Sequence, residues 1–254
     1  MLNITADEYL SSKYIAFIDV FGFSNIVNSI ITNNQFNINS FEQIQGYYNR
    51  IVSEILTEQT RNILNITYIS DSLIITSEQL DALLWFLFNF QSNMILRDFD
   101  SYRFLVKGYV TQGHFIHNTM QNVIFGEAYQ RAFEQEEKIK FPQIILDPNI
   151  RIDDNNPVRV ILTNDNTSEA LFINYARRTN FGSQIRSRVS VEDLSQREIN
   201  KFKNNLSIQQ KYQWLLHYFQ TEKSKNLTNL EREHLLFLTE KFEGPLKEWQ
   251  EDLL

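Results

Sequence analysis

The stretch Tyr14-Ile-Ala-Phe-Ile-Asp19-Val-Phe-Gly-Phe23, taken with Ile66-Thr-Tyr-Ile-Ser-Asp71-Ser-Leu-Ile-Ile-Thr76, decides how this chain folds. Residues Tyr14 to Ile18 are consecutively apolar, which predicts a central strand buried on both faces. Asp19 follows that run, and Asp71 sits between two runs rich in β-branched residues, the pattern of a hairpin. A carboxylate tethered to a buried strand is costly unless something pairs with it. Two such carboxylates on neighbouring strands are relieved together by divalent cations, the minimal apparatus of two-metal phosphoryl transfer.

Outside this pair the periodicity changes. From Ser40 to Leu56 the apolar positions Phe41, Ile44, Tyr48, Ile51 and Ile55 step by three and four. Ser40-Phe-Glu-Gln43 has the form of a capping box, and together these predict an amphipathic helix. A second helix is predicted from Ser77 to about Arg97, with Leu83 to Phe88 as its buried centre. Tyr102 to His117 predicts a hairpin or a long bent strand, in which Gly108 and Gly113 mark close backbone approach. Val123 to Phe125 predicts a short strand. After Gly126, a helix to about Lys138 places Ala128, Ala132 and Phe133 on one face, and Glu134 to Glu137 reads as a solvated face.

Phe141 to Asp147 predicts a strand stopped by Pro148, and Val158 to Leu162 with Leu171 to Tyr175 a hairpin around Asn164-Asp165-Asn166. From Val191 onward the pattern is helical, with Trp214, Leu215, Tyr218, Leu235, Phe237 and Leu238 as packing residues. The order predicts an α+β fold, a mainly antiparallel sheet with helices covering one face. Residues 1–190 would form that unit and residues 191–254 a C-terminal helical extension.

Composition narrows the function. The chain has 254 residues and a net charge of -7, with a pI near 5.2, which argues against a general nucleic-acid surface but allows a single bound nucleotide. The absence of cysteine removes disulfides, thiolate catalysis and Cys-type zinc sites. Met1 to Glu8 has neither a basic region nor a long apolar one, unlike a signal peptide. The longest apolar block, Ala82 to Phe88, falls far short of the roughly 20 residues of a membrane span. These features predict a soluble cytoplasmic protein with no membrane partner.

Four motifs in order resemble the class III nucleotidyl cyclases, and more narrowly the pyrimidine cyclases of the bacterial Pycsar antiphage systems. Phe17-Ile-Asp19-Val-Phe21-Gly22-Phe23-Ser24 resembles the first metal strand with its phosphate-binding turn, and Ser70-Asp71-Ser-Leu the second metal hairpin. Lys107-Gly-Tyr-Val-Thr-Gln-Gly113 resembles the strand whose basic residue, usually Arg, precedes a glycine by six positions. Phe125-Gly126-Glu-Ala-Tyr129-Gln130-Arg131-Ala-Phe-Glu134 resembles the helix start that carries a transition-state Asn and Arg in purine cyclases. The resemblance covers about residues 12 to 150 and implies an antiparallel palm-type, ferredoxin-like sheet.

It further implies two Mg²⁺ or Mn²⁺ ions on Asp19, Asp71 and the carbonyl of Val20. Phosphate oxygens would meet the N–H groups of Phe21, Gly22, Phe23 and Ser24, and Lys107 the β- or γ-phosphate. The product would be a 3′,5′-cyclic nucleotide. The resemblance also implies a head-to-tail homodimer with shared sites and a separate effector gated by the cyclic nucleotide.

Two departures bear on the chemistry. Gln130 and Glu134 stand where purine cyclases have Asn and Arg, leaving Arg131 and Arg103 as local cations. Thr67, followed by Tyr68, stands where purine cyclases often place a base-reading Lys. A smaller base read by hydroxyls, with Tyr48 or Tyr68 filling the vacated volume, favours UTP or CTP.

Taken singly, each residue also has an ordinary structural reading. An aspartate after a strand caps helices and forms turns, Lys107 reads as a sheet-edge surface lysine, and Tyr48 lies on the apolar stripe of its helix. His114 and His117, three apart on an extended segment, point to opposite faces and do not predict zinc. The alternatives are a catalytically silent nucleotide-binding module, a purine cyclase, or another palm-like phosphoryl transferase such as a diguanylate cyclase. The Ser-Asp-Ser hairpin tip, without a Gly-Gly pair, counts against the last.

Overall fold

The structure is a computed structural model that describes residues 12–21, 23, 31–32, 35–36, 38–96, 104–118, 123–164, 170–180, 190–223 and 225–243. The apolar run forms β1 (Ser12–Val20), whose Ile15 to Ile18 are at most 5 % exposed. A two-residue pair, β2 (Ile31–Thr32) and β3 (Gln35–Phe36), precedes helix α1 (Ile38–Ile55) and the short α2 (Glu58–Arg61). The hairpin β4 (Leu64–Ile69) and β5 (Ser72–Ser77) follows, then α3 (Leu80–Leu96) and β6 (Val106–His114). β1 pairs antiparallel with β5 on one side and β6 on the other, and β4 lies outside β5. The sheet order β6-β1-β5-β4, in the chain order strand, helix, hairpin, helix, strand, is the ferredoxin-like βαββαβ arrangement.

Beyond β6 the hairpin β7 (Ile116–Asn118) and β8 (Val123–Phe125) leads into α4 (Glu127–Glu136). β9 (Ile144–Leu146) adds parallel to β6. β10 (Leu162–Asn164) and β11 (Leu171–Ile173) extend the sheet to the order β10-β11-β9-β6-β1-β5-β4. This is the expected α+β class. Gly108 permits the central pairing: a Cβ there would lie 2.3 Å from Ile18 Cδ1 and 2.7 Å from the Phe17 carbonyl.

The expectation of helices on one face needs correction. Strand alternation sends Ile15, Phe17 and Ile74 to the second face, where Phe115 and the small side chains Ala128 and Ala132 of α4 cover them. The first face holds α3, buried all round because the C-terminal helices cover its back. Its buried amide nitrogens donate to backbone carbonyls, as Gln91 Nε2 does to Val106 (3.3 Å) and Pro142 (3.1 Å) and Asn93 Nδ2 to Asn89 (2.7 Å).

Several boundaries differ from the sequence reading. α1 begins at Ile38, so Ser40 lies inside the helix. Ser77 closes β5, and its Oγ accepts from the N–H of Gln79 before α3 starts at Leu80. The stretch to His117 is two strands broken at Phe115. Pro157 to Ile161 is a 3₁₀ turn rather than strand, because Pro157 presets its first residue and the Asn156 side chain caps the N–H of Val158 at 3.1 Å. Phe237, expected as a packing residue, is 49 % exposed, whereas Phe133 sets its ring edge-on against Phe17 at 5.3 Å.

The residues after 190 form α5 (Val191–Lys201), α6 (Leu206–Lys223) and α7 (Asn229–Glu243). Their Leu215, Tyr218, Phe219, Leu235, Leu238 and Phe242 belong to the same continuous core as Ile18 and Val20. Trp214 stacks on Phe141 at 5.6 Å, and Tyr218 packs on Tyr175 and donates to Asn174 Oδ1 at 2.7 Å. Among the described residues no helix is long and apolar enough to cross a membrane.

Candidate active site

The site grows from the C-terminal end of β1. Asp19 shares the second face with Phe17 by alternation and stands opposite Lys107 of β6 in the ladder. The β4–β5 loop is only Ser70 and Asp71, and Ser70 takes φ +56° at its first position, the sense of turn that matches strand twist in two-residue hairpins. That tight turn brings Asp71 within hydrogen-bonding reach of Asp19. Burial, the charge of Glu136 and the charge of Asp71 push the Asp19 carboxyl up to about 7, against the opposing pull of Lys107.

Lys107 is no edge lysine. It sits in the sheet interior with Nζ 2.6 Å from Glu136 Oε1 and donates to the Glu136 carbonyl at 3.3 Å. Glu136 is 3 % exposed, which overturns the reading of Glu134 to Glu137 as wholly solvated. The signal was present in the sequence. Glu136 continues the spacing of four set by the buried Ala128 and Ala132, and so shares their face. Burial raises the Glu136 carboxyl and Lys107 lowers it.

The turn after β1 adds an unexpected group. Phe21 donates its N–H to the Leu105 carbonyl at 2.8 Å, and its ring carries Lys107 Nζ at 5.5 Å and Lys211 Nζ at 4.4 Å from the centroid. Lys211 comes from α6, outside the resembling region, and nothing in its local sequence marked it. Burial and the charge of Lys107 lower its pKa.

Asp19, Val20, Phe21, Asp71 and Lys107 therefore gather at one end of the sheet. Phe23 is half-buried against the first-face core, while Gly22, Ser24 and Arg103 lie outside the described residues. Tyr48 is in the backbone of α1, but its side chain lies outside the described residues. Thr67 faces the second face, with Oγ1 2.7 Å from His117 Nε2, while His117 Nδ1 is 2.9 Å from Thr76 Oγ1. Tyr68 is 43 % exposed and points the other way by alternation.

Gln130 and Arg131 stand apart from the aspartates. Gln130 Nε2 donates to Glu134 Oε1 at 2.8 Å on the exposed side of α4. Arg131 Nη1 lies 3.4 Å from Thr111 Oγ1 and 3.7 Å from Asp147 Oδ2. Asp147 also accepts from Thr111 Oγ1 and the Asn149 N–H, contacts that hold its carboxyl below the usual range despite burial. Thr111 is four residues along β6 from Lys107, about 13 Å of strand.

The chemistry of the donor set fits a divalent ion. Asp19, Asp71 and the backbone carbonyl of Val20 are hard oxygen donors, and the Asp19 carboxyl is pushed up first by burial and then by the charges of Glu136 and Asp71, costs that a dication would offset. Among the described residues no group of three or more metal-ligating side chains occurs. Phosphate and water oxygens would complete the coordination.

No family model matches the chain, and no curated protein matches it. Two solved structures of adenylate cyclases from Trypanosoma brucei in their monomeric state are similar. One superposes with a TM-score of 0.46 at 10 % identity, over 65 % of this chain and 90 % of that one. The other has a TM-score of 0.46 at 10 % identity, over 64 % and 86 %. Superpositions at this level assign neither family nor activity.

Proposed function

We propose that the chain is a nucleotidyl cyclase that converts UTP or CTP to the 3′,5′-cyclic monophosphate and pyrophosphate, as a second-messenger synthase in antiphage defence. The observation that carries this reading is the Asp19–Asp71 pair at one end of a ferredoxin-like sheet, with the half-buried Asp19 opposite Lys107 in the ladder. Two bound Mg²⁺ or Mn²⁺ ions would supply Lewis acidity toward the ribose 3′-hydroxyl and charge neutralisation of the triphosphate. Asp19 and Asp71 would hold those ions, and phosphate oxygens would meet N–H groups of the turn beyond Phe21, whose own N–H is taken by the Leu105 carbonyl. The 3′-oxygen forms its bond to the α-phosphorus as the α–β bridging P–O bond breaks. Pyrophosphate leaves, and the hydroxyl proton passes to solvent.

The distance of Gln130 and Arg131 from their own aspartates supports a homodimer in which α4 of one protomer serves the other's site. Phe125, 66 % exposed, and Phe133, 41 % exposed, give that region an apolar surface for such a contact. The hydroxyl of Thr67, in place of a cation, favours a pyrimidine. A separate effector gated by the cyclic nucleotide would read the product.

A second reading, a silent nucleotide-binding module, is favoured by one observation: Lys107 and Arg131 are each already engaged by a buried carboxylate. Mass spectrometry of products from ATP, GTP, CTP and UTP, each with Mn²⁺, separates the two. Cyclic UMP or cyclic CMP is the expected product. Cyclic AMP or cyclic GMP alone would overturn the pyrimidine assignment, and binding without turnover would favour the silent module.

A further inference from the structure

Lys211 is a cation that the fold has placed beside the site at a cost. It projects from α6, part of the C-terminal helices, onto the ring of Phe21, the residue that follows the Asp19-Val20 pair. Lys107 approaches the same ring, so the two ammonium groups lie within about 10 Å of each other. Their surroundings differ. Lys107 has Glu136 at 2.6 Å, whereas Lys211 has no carboxylate within ion-pair distance among the described residues.

A half-buried lysine beside a second lysine, held over an aromatic face and with no carboxylate paired to it among the described residues, suits an anion arriving from outside the chain. The neighbouring end of β1 limits which anion. A triphosphate whose α-phosphate sat near Asp19 and Asp71 would extend a few ångströms further, far enough to reach a cation beside Phe21. Lys107, neutralised by Glu136, offers them little net charge.

We propose that Lys211 binds the terminal phosphates of a nucleoside triphosphate and the pyrophosphate derived from them. The C-terminal helices thereby form part of the active site. This deepens the proposed function and rests on it for the identity of the substrate. The contact is made within one chain, so it does not depend on the dimer.

The test uses the full chain, inorganic pyrophosphate with Mg²⁺, and isothermal calorimetry. Lys211→Met keeps the aliphatic stem on Phe21 and removes the charge; Lys211→Arg restores a cation. Pyrophosphate affinity is expected to fall at least five-fold in Lys211→Met and to recover within two-fold in Lys211→Arg. UMP, which lacks the terminal phosphates, is expected to bind both variants as it binds the wild type. In the turnover assay KM for the triphosphate should rise several-fold more than kcat falls. Unchanged pyrophosphate affinity in a Lys211→Met protein of wild-type melting temperature would overturn the proposal, as would equal losses for UMP and pyrophosphate. If no cyclic product is ever found but pyrophosphate binding depends on Lys211, the cyclase reading fails and the anion site stands. A cyclase indifferent to Lys211 gives the converse.

Discussion

Replacing Asp19 by Asn should stabilise the metal-free protein. The carboxyl pKa moves from 3.8 to about 7, chiefly through burial and then through the charges of Glu136 and Asp71. A raised carboxyl pKa means that the folded state holds a proton the unfolded state releases, so stability falls as pH rises from about 4 to about 7. The difference of about three pH units has an unscreened ceiling of about 4 kcal/mol. Water still reaches this half-buried carboxylate, and the screened penalty at pH 8 is on the order of 1–2 kcal/mol. Asn removes it, and its amide donates to Asp71 in place of the carboxyl proton. Urea denaturation in EDTA should show the variant more stable by about 1–2 kcal/mol at pH 8, with less than half of that at pH 4.5. Millimolar Mn²⁺ should reverse the order by stabilising the wild type alone. A variant less stable than wild type at pH 8 in EDTA, or a gain that ignores pH, would refute the crowded pair.

Three further outcomes follow from the geometry. Gly108→Ala drives a Cβ into Ile18 and the Phe17 carbonyl and should cost about 3 kcal/mol by urea denaturation, where a loss below about 0.5 kcal/mol would contradict the register. Glu136→Gln leaves Lys107 buried without its counter-ion and should destabilise by about 2–3 kcal/mol at pH 8, despite relieving charge at Asp19. His117, neutral between Thr67 and Thr76 with its pKa lowered by burial, contributes stability that is intact above about pH 6.5 and lost as pH falls through its depressed folded value. His117→Gln should therefore lose less stability than wild type between pH 7.5 and 5, and equal losses would show that the imidazole is not the titrating group.

The parts of the fold legible in the sequence were those with strong local period. Tyr14 to Ile18 and the runs around Asp71 identified the central strand and hairpin because β-branched and apolar runs of that length have few other uses. Val158 to Ile161 looked like strand on the same grounds, but capping by Asn156 and the preset angle of Pro157 outweighed the β-branched side chains. Glu136 hid inside an acidic run, although its spacing from Ala128 and Ala132 placed it on the buried face. Lys211 was not legible at all. Its role depends on how α6 folds back onto residues nearly two hundred positions earlier, and no local pattern encodes that distance.

The proposed function requires that Asp19 and Asp71 together carry turnover of a nucleoside triphosphate. Its most direct test is the rate of cyclic nucleotide and pyrophosphate formation from UTP and from CTP with Mn²⁺, for wild type, Asp19→Asn and Asp71→Ala at matched folded concentration. Products in a one-to-one ratio from the wild type, with both variants slower by about three orders of magnitude or more, are predicted. Turnover that survives either substitution, or a well-folded wild type that yields neither product from either nucleotide, would contradict it.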